Sequence, residues 1–469
     1  MTLALSRTAV KFGTSGARGL VTDITPAYCW TFTRAFLRVL GPNTQQIVIG
    51  HDLRPSSPVI AAACIAAAEA AGVSVLYAGA VCTPAIALAG QINGLAALMV
   101  TGSHIPADRN GIKAYRPDGE ITKADEQAML RAEVPDHTEQ PLQPLPPPNE
   151  DIAAAYVRRY TSAFAPELLK GLRIAVYEHS TVLRDMLHVI LRALGGETIG
   201  LGRSGGFLPV DTEAVRAEDH ELARNWAKSH GFDAIVSADG DADRPLVGDE
   251  NGQWLRGDVL GILSARALGA RSVVTPVSSN TALELCGSFG NIVRTRIGSP
   301  YVIEAMMQRG LPSPIAGYEA NGGFLLGSDV MLEGRNLAAL PTRDAMLPII
   351  LVLAAARQRG CKLSELSDTL PRRFTHSDRL QDFAMERSRG LIAALGADPA
   401  IASAILAPDC GTMTAIDQTD GLRVTFASGD IVHLRPSGNA PELRCYAESN
   451  TRQRAEALCR ACLDRVALS

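Results

Sequence analysis

Lysine is scarce in this sequence: six residues, at positions 11, 113, 123, 170, 228 and 362, against thirty-nine arginines. A lysine inside a polar motif therefore stands out, whereas the arginine excess reads as general composition. Aromatic residues make up only 5% of the 469 positions, and no run of eighteen apolar residues occurs, which excludes a membrane-spanning helix. No charge of one sign dominates. Lys+Arg 45 against Asp+Glu 49 leaves a net −4, which offers no footprint for nucleic acid and no basic face for an anionic membrane. Nine cysteines, an odd number spread over the whole length, do not make a disulfide framework and fit a reducing compartment. The close pair Cys459 and Cys462 lies in a helical stretch, 452–466, with no second pair to complete a zinc site, so a packing role is expected. The segment Met1 to Arg7 is too short for the apolar core of a signal peptide, and a cytoplasmic location is expected.

What is present is an ordinary globular composition, 46% hydrophobic and 20% charged, in a chain too long for one core. Three segments share a plan of strand, helix, second strand and a polar loop. The first runs from the strand 46–49 through an Ala-rich helix around 60–71 to the strand 95–100, ending in Thr101-Gly102-Ser103-His104. The second runs from the strand 172–176 through a helix 181–194 to Ala234-Ile235-Val236 and the loop at Asp239. The third runs from 272–274 through a short helix to 314–316 and the loop Gly317 to Gly323. Such alternation predicts parallel or mixed α/β layers with each loop outside the carboxyl end of a strand, where a shared ligand would sit. The proline-rich stretch 135–148 marks a stiff linker. Domains are expected at 1–150, 151–253, 254–370 and 371–469. The last differs in kind, because Leu422–Phe426 alternates, turns at Ser428-Gly429-Asp430 and returns as Ile431–Leu434, a hairpin of an α+β domain.

The most informative motif is Asp239-Gly240-Asp241-Ala242-Asp243-Arg244, three carboxylates on alternate residues directly after a strand. Two carboxylates held about 4 Å apart repel by roughly 4 kcal/mol, so three that converge imply a cation, and all-oxygen ligation points to Mg²⁺ or Ca²⁺ over zinc. An EF-hand would accept Asp239, Asp241, Asp243 and Glu250 as ligands. It demands glycine where Arg244 stands, however, and a helix where a strand precedes. A solvated acidic turn is the other alternative. Ser103 precedes Lys113 on one exposed loop; Ile105 stands where a lipase-type elbow needs glycine, which disfavours acyl transfer. The alternatives for this loop are a plain surface loop or a phosphorylated Ser103, which would bring about −1.5 to −2 charge and oxygen ligands toward the ion. Lys113 would then serve as general acid/base, given a pKa lowered by its surroundings. Arg435-Pro436-Ser437-Gly438-Asn439-Ala440-Pro441, with Arg444 beyond, collects donors at a turn and suits an anion, or is simply a hairpin turn. Glu319 puts at the centre of its loop a carboxylate, the kind of group that accepts paired hydrogen bonds from adjacent sugar hydroxyls. The stretch Gly200 to Gly205 matches the dinucleotide fingerprint, but Gly206, Phe207, Leu208 and Pro209 follow it where a helix should start.

These loops, in this order, resemble those of the α-D-phosphohexomutase superfamily, over essentially the whole chain. Lys11 to Gly19 resembles the opening motif, which implies that Arg18 reaches the active site. Thr101 to Pro106 with Gly111-Ile112-Lys113 resembles the phosphoserine loop, Asp239 to Arg244 the Mg²⁺ loop, Glu319 to Gly323 the sugar loop, and Arg435 to Pro441 the phosphate loop. The resemblance implies three related α/β domains plus a C-terminal α+β domain, TATA-binding-protein-like, around a central cleft. It implies a phosphoserine enzyme that interconverts hexose 6-phosphate and hexose 1-phosphate through a hexose 1,6-bisphosphate, which also serves as activator. Ser103, Lys113, Arg18, His104 and Arg244 are the implied catalytic residues. Mg²⁺ would be held by Ser103, Asp239, Asp241 and Asp243, and the substrate by Glu319, Asn321, Arg435, Ser437, Gly438, Asn439 and Arg444. No nucleic acid or membrane partner is implied, and the expected assembly is a monomer or dimer.

The sequence also departs from the family pattern. Ile105 replaces the usual Asn after Ser-His. The sugar loop commonly reads Gly-Glu-Xaa-Ser-Gly-His, and here Asn321 replaces the Ser and Gly323 the His, so an imidazole contact must be made by another group. The phosphate loop looks closest to phosphomannomutase-like members, which favours mannose phosphate, with glucose phosphate as a second substrate. A phosphoglucosamine mutase usually carries Gln where Ala320 stands. A sugar-phosphate-binding protein without catalysis is disfavoured by retention of Ser103, Lys113 and all three aspartates.

Overall fold

The computed structural model describes residues 2–3, 5, 8–13, 16–137, 141–437 and 441–468. Three sheets repeat one arrangement. In the first, the strand Gln46–His51 is flanked by Ser74–Ala80 and Ala96–Val100, both parallel to it, and Arg109–Arg116 joins antiparallel beyond Ala96–Val100. The second sheet has Arg173–Tyr177 between Glu197–Leu201 and Ala234–Ala238, with Pro245–Gly248 antiparallel. The third has Ser272–Pro276 between Asn291–Thr295 and Ile315–Tyr318, with Phe324–Leu326 antiparallel. In each sheet the functional loop is the turn from the last parallel strand into the antiparallel one, so the three loops occupy equivalent places.

The repeat is richer than the sequence plan by one strand and one helix. Ser74–Ala80, Glu197–Leu201 and Asn291–Thr295 are edge strands in their domains, and each is followed by a further helix: Thr83–Asn93, Ala217–His230 and Ser299–Met306. Edge strands are buried on fewer sides and carry weaker alternation, which is why their pattern is faint. The expected helices at 60–71 and 181–194 form as Ser57–Glu69 and Arg184–Ala193.

The fourth unit is a five-stranded antiparallel sheet in the order Phe374–Leu380, Leu443–Ser449, Ile431–Pro436, Leu422–Phe426, Met413–Asp417, backed by the helix Arg452–Leu468. The expected hairpin is there, turning through Gly429 at φ 82. Cys459 and Cys462 lie in the core of this unit beside Cys445.

One core joins the first three units. The helix Met346–Arg359 is apolar on every face from Met346 to Ala356 and buried along most of that length, as a central helix must be. Tyr156 and Tyr160 of the helix Glu150–Ala163 both donate to Asp344, the first at 2.6 Å, at the end of the strand Leu340–Asp344. The 141–149 segment carries no regular structure and packs back on the first unit, with Asn149 N donating to Tyr77 O at 2.7 Å. No helix of the described residues is long and apolar enough to cross a membrane.

Candidate active site

The loop Asp239–Arg244 is held by three units at once. Asp241 O accepts from Thr83 N at 2.9 Å, Gly240 O from Val182 N at 3.1 Å and Ala242 O from Ala345 N at 3.4 Å. Within the turn, Asp239 N donates to Arg244 O at 3.0 Å, and Ala242 takes the left-handed conformation, φ 57. Gly240 is required by close approach, because a Cβ there would stand 2.6 Å from Ser103 O. All three aspartates are buried, and one oxygen from each lies within 4.8 Å of the others.

Ser103 comes to this cluster from the first unit. Its hydroxyl donates to Asp239 Oδ2 at 2.5 Å and lies 3.2 Å from His104 Nδ1. Its φ of 54 is a strained value for a residue with a side chain, and such strain collects at functional turns. The strain is held in place by groups that no motif suggested. Arg54, 1% exposed, donates to the carbonyls of Pro106, Arg109, Ser103 and Ile105 at 2.7, 2.8, 3.0 and 2.5 Å. Asp52 pairs with Arg54 Nε at 3.3 Å and accepts from Thr101 Oγ1 at 2.8 Å, and Thr101 Oγ1 in turn accepts from Ser103 N. The faint signal for both was their place directly after the parallel strand 46–51. We expect Arg54→Lys, which keeps the charge but loses the planar fork, to lower the turnover proposed below by about 10²-fold through misplacement of Ser103. Initial rates compared with a thermal melt check this: a melt unchanged within a few degrees beside wild-type rates would show that the fork is not needed.

Lys113 Nζ sits 2.6 Å from both Asp241 Oδ2 and Asp243 Oδ2. Burial acts to lower its pKa, but the two carboxylates outweigh burial and the net direction is upward. This corrects the expectation of a lowered value: the ammonium is a cation held by two carboxylates. For Asp243, burial acts to raise the pKa, yet Arg343, Lys113 and Arg244 hold it well below the carboxylate range. Asp239 goes the other way, raised by burial and then by Asp241 and Asp243. The Arg18 guanidinium is brought down to about 10 by burial and by the nearby Arg244 and Arg343. His104 is held neutral by burial and by Arg244 and Arg18. Its Nδ1 accepts from Arg244 Nη1 at 3.0 Å, which puts the proton on Nε2, 4.0 Å from Asp211.

The residues present fit a hard divalent cation. Asp241 and Asp243 each spend Oδ2 on cationic side chains, while Oδ1 of both is buried without a hydrogen bond. Two such oxygens beside Asp239, that of Asp243 with Arg244 Nε 3.6 Å away, form a buried acceptor set that suits an oxygen-seeking ion.

Glu319 lies opposite, bonded at 3.0 Å by Arg343, which also reaches Asp243 at 2.7 Å. Arg343 is a central residue that the sequence reading missed, since Thr342-Arg343-Asp344 has no motif to flag it. Asn321 turns its amide oxygen onto Gly323 N at 2.9 Å, shaping its own loop, while its carbonyl accepts from Thr212. In the fourth unit, Arg435 and Arg444 stand directly across the strand pair, and Arg444 is likewise opposite Arg379. Three guanidinium groups in one cross-strand row repel one another unless an anion joins them. They are partly offset by Asp420, 2.8 Å from Arg435, and by Glu442. Asp420 also accepts from Ile297 N at 2.9 Å, docking this unit on the third. Ser437 is buried at the end of the strand, and Gly438 and Asn439, like Thr14 and Ser15 of the opening motif, lie outside the described residues.

Comparison with known proteins agrees with this geometry. The model of the phosphoglucomutase/phosphomannomutase α/β/α domain I matches residues 9–140, that of α/β/α domain III matches 256–374, and that of the C-terminal domain matches 382–465. A phosphomannomutase of Salmonella muenchen is 46% identical over 455 residues, covering 96% of this chain and 94% of the relative. A phosphomannomutase of Sinorhizobium fredii is 45% identical over 463 residues, covering 96% and 97%. The crystal structure of a putative phosphomannomutase from Thermus thermophilus shares the fold, with a TM-score of 0.77 at 20% identity over 100% of both chains. With three family domains in order along the chain and three equivalent loops meeting at one buried cluster, the protein belongs to the phosphoglucomutase/phosphomannomutase family of the α-D-phosphohexomutase superfamily.

Proposed function

We propose that the protein is a phosphohexomutase that interconverts hexose 6-phosphate and hexose 1-phosphate, with mannose phosphate as its main substrate and glucose phosphate as a second. The observation that carries this is one contact between two units: the Ser103 hydroxyl on Asp239, inside a cluster that holds three carboxylates and at least three cations. The phosphoryl group starts on Ser103. A sugar hydroxyl attacks phosphorus, its O–P bond forms as the Ser103 O–P bond breaks, and Lys113 hands a proton to the departing Ser103 oxygen while it takes up the proton the sugar hydroxyl gives up. The sugar is then a 1,6-bisphosphate. Turned end for end, it returns its other phosphoryl group to Ser103, and Lys113, held protonated by Asp241 and Asp243, hands a proton to the departing sugar oxygen and is restored by the proton of the Ser103 hydroxyl. Mg²⁺, held by Asp239, Asp241 and Asp243, would neutralise oxygens of the transferring group. Arg18, Arg244 and Arg343 add fixed positive charge in a buried setting, where it is worth most. The row Arg379, Arg435 and Arg444 would hold the distal phosphate, whichever end of the sugar carries it. Nine unpaired thiols fit a reducing, cytoplasmic setting.

A coupled assay primed with a hexose 1,6-bisphosphate tests this with mannose, glucose and glucosamine 1-phosphates side by side, and the kcat/KM ratios give the specificity. Turnover of none of the three would end the mutase reading. EDTA should abolish the activity and Mg²⁺ restore it. Asp241→Ala, which removes one of the two unbonded oxygens, should raise the Mg²⁺ concentration for half-activity by at least about tenfold. An unchanged Mg²⁺ requirement in that variant would take Asp241 out of the ion site.

A further inference from the structure

Arg343 belongs to no motif, yet its guanidinium lies where two functional loops meet. It reaches from the strand Leu340–Asp344, is 2% exposed, and forks between Glu319 at 3.0 Å and Asp243 at 2.7 Å. A second observation explains how it gets there. A Cβ built on Gly323 would stand 2.5 Å from Arg343 Cδ and 2.8 Å from Cγ, so the arginine stem runs through the space that a side chain at 323 would need. Both contacts are with atoms in the middle of the stem, which cannot swing aside without dragging the guanidinium off its partners.

The consequence is one of charge. A buried carboxylate without a cation attracts one, and an ammonium on a sugar ring would satisfy it better than a hydroxyl. Glu319 already has its cation. A carboxylate has four acceptor sites, so Glu319 keeps hydrogen-bonding capacity for hydroxyls while losing its net pull on positive charge. An ammonium brought to this corner would instead face a fixed guanidinium, and like charges placed together are how sites reject a wrong partner.

We infer that Arg343, admitted by Gly323, is the specificity-determining residue that makes this mutase select neutral hexose phosphates and reject 2-amino hexose phosphates. The inference rests on the mutase reading given above. It also assigns a cause to the glycine at 323, whose missing side chain makes room for a cation supplied by a distant strand.

Calorimetric binding of mannose 6-phosphate and glucosamine 6-phosphate, in EDTA so that no metal takes part, tests it on the wild type, Arg343→Gln and Gly323→Ala. Arg343→Gln removes the charge; Gly323→Ala keeps every charge but pushes the guanidinium off Glu319. Both variants are expected to move the ratio of the two Kd values toward the amino sugar, Arg343→Gln by about tenfold or more and Gly323→Ala by less. The kcat/KM ratio measured with Mg²⁺ should move the same way. A residue that only supported the fold would weaken both sugars alike and leave the ratios where they were. Unchanged ratios in both variants would overturn the inference, and Gly323→Ala decides alone if Arg343→Gln does not fold. A wild type that binds neither sugar and turns over no hexose phosphate would instead overturn the mutase reading itself.

Discussion

Ser103→Ala is expected to lower mutase turnover by at least about 10⁴-fold, because removal of a covalent nucleophile leaves only binding and fixed charge to act on the substrate. The fold should survive. The hydroxyl makes one strong bond, to Asp239, whose carboxyl is already raised by burial and by Asp241 and Asp243. Losing that donor pushes Asp239 further toward its neutral form, which needs fewer donors, and Arg244 N remains 3.2 Å from Oδ1. A hydrogen bond to a charged group contributes about 1.5–3 kcal/mol, so the stability loss stays at or below that range. Intact-protein mass spectrometry should find one phosphoryl group on the wild type and none on the variant. Turnover within about tenfold of wild type would remove Ser103 from the mechanism.

Much of this site was legible because the repeat places chemistry at fixed points. Three turns following three parallel strands carry Ser103, Asp239 to Asp243 and Glu319, and each was visible as a polar run directly after an apolar one. The alternating aspartates could be read locally, since a turn with three carboxylates has little purpose without a cation. What stayed hidden is tertiary. Arg343 sits 20 residues beyond Gly323 and 100 beyond Asp243, and only the packed sheet brings its guanidinium to both. Thr83 meets Asp241 across 158 residues by way of a helix start that the plan of strand, helix, strand had no room for. Arg54 reads in sequence as one arginine among many, and its role appears only when four carbonyls are seen to converge on it. The direction of the Lys113 pKa was misjudged for the same reason. Lys113 was expected on an exposed loop with Ser103, whereas it is buried in the strand Arg109–Arg116, with two carboxylates at 2.6 Å that no local pattern announces.

Lys113→Met is expected to remove both activity and stability, and the two losses should respond differently to Mg²⁺ and to pH. The substitution keeps the length of the side chain and deletes its charge. Asp243 would retain Arg343 at 2.7 Å and Arg244 at 3.6 Å, but the Asp241 carboxylate would keep the Thr83 hydroxyl as its hydrogen-bond donor and only the more distant Arg18 and Arg54 as cations. Breaking a buried pair from one side costs about 3–5 kcal/mol, because the remaining carboxylate is neither solvated nor compensated. Loss of the proposed proton donor should lower turnover by a further factor in the range of about 10²–10⁴. An ion bound at the three aspartates would compensate the charge, so Mg²⁺ should recover much of the melting temperature. It cannot donate the proton from the position of Nζ, so turnover should stay low. The pH dependence follows from the directions of the shifts. The depressed Asp243 contributes stability above about pH 4 that is lost as pH falls through its folded value. The raised Lys113 contributes stability below about pH 10 that is lost as pH rises through its folded value. The stability gap between wild type and Lys113→Met should therefore be widest between about pH 4 and pH 10 and should narrow on acidification. Denaturant melts at neutral pH and at about pH 3 measure that gap directly. A gap of the same size at both would mean that Lys113 acts in this cluster through packing rather than through charge, and recovery of turnover along with stability on adding Mg²⁺ would remove it as the proton donor.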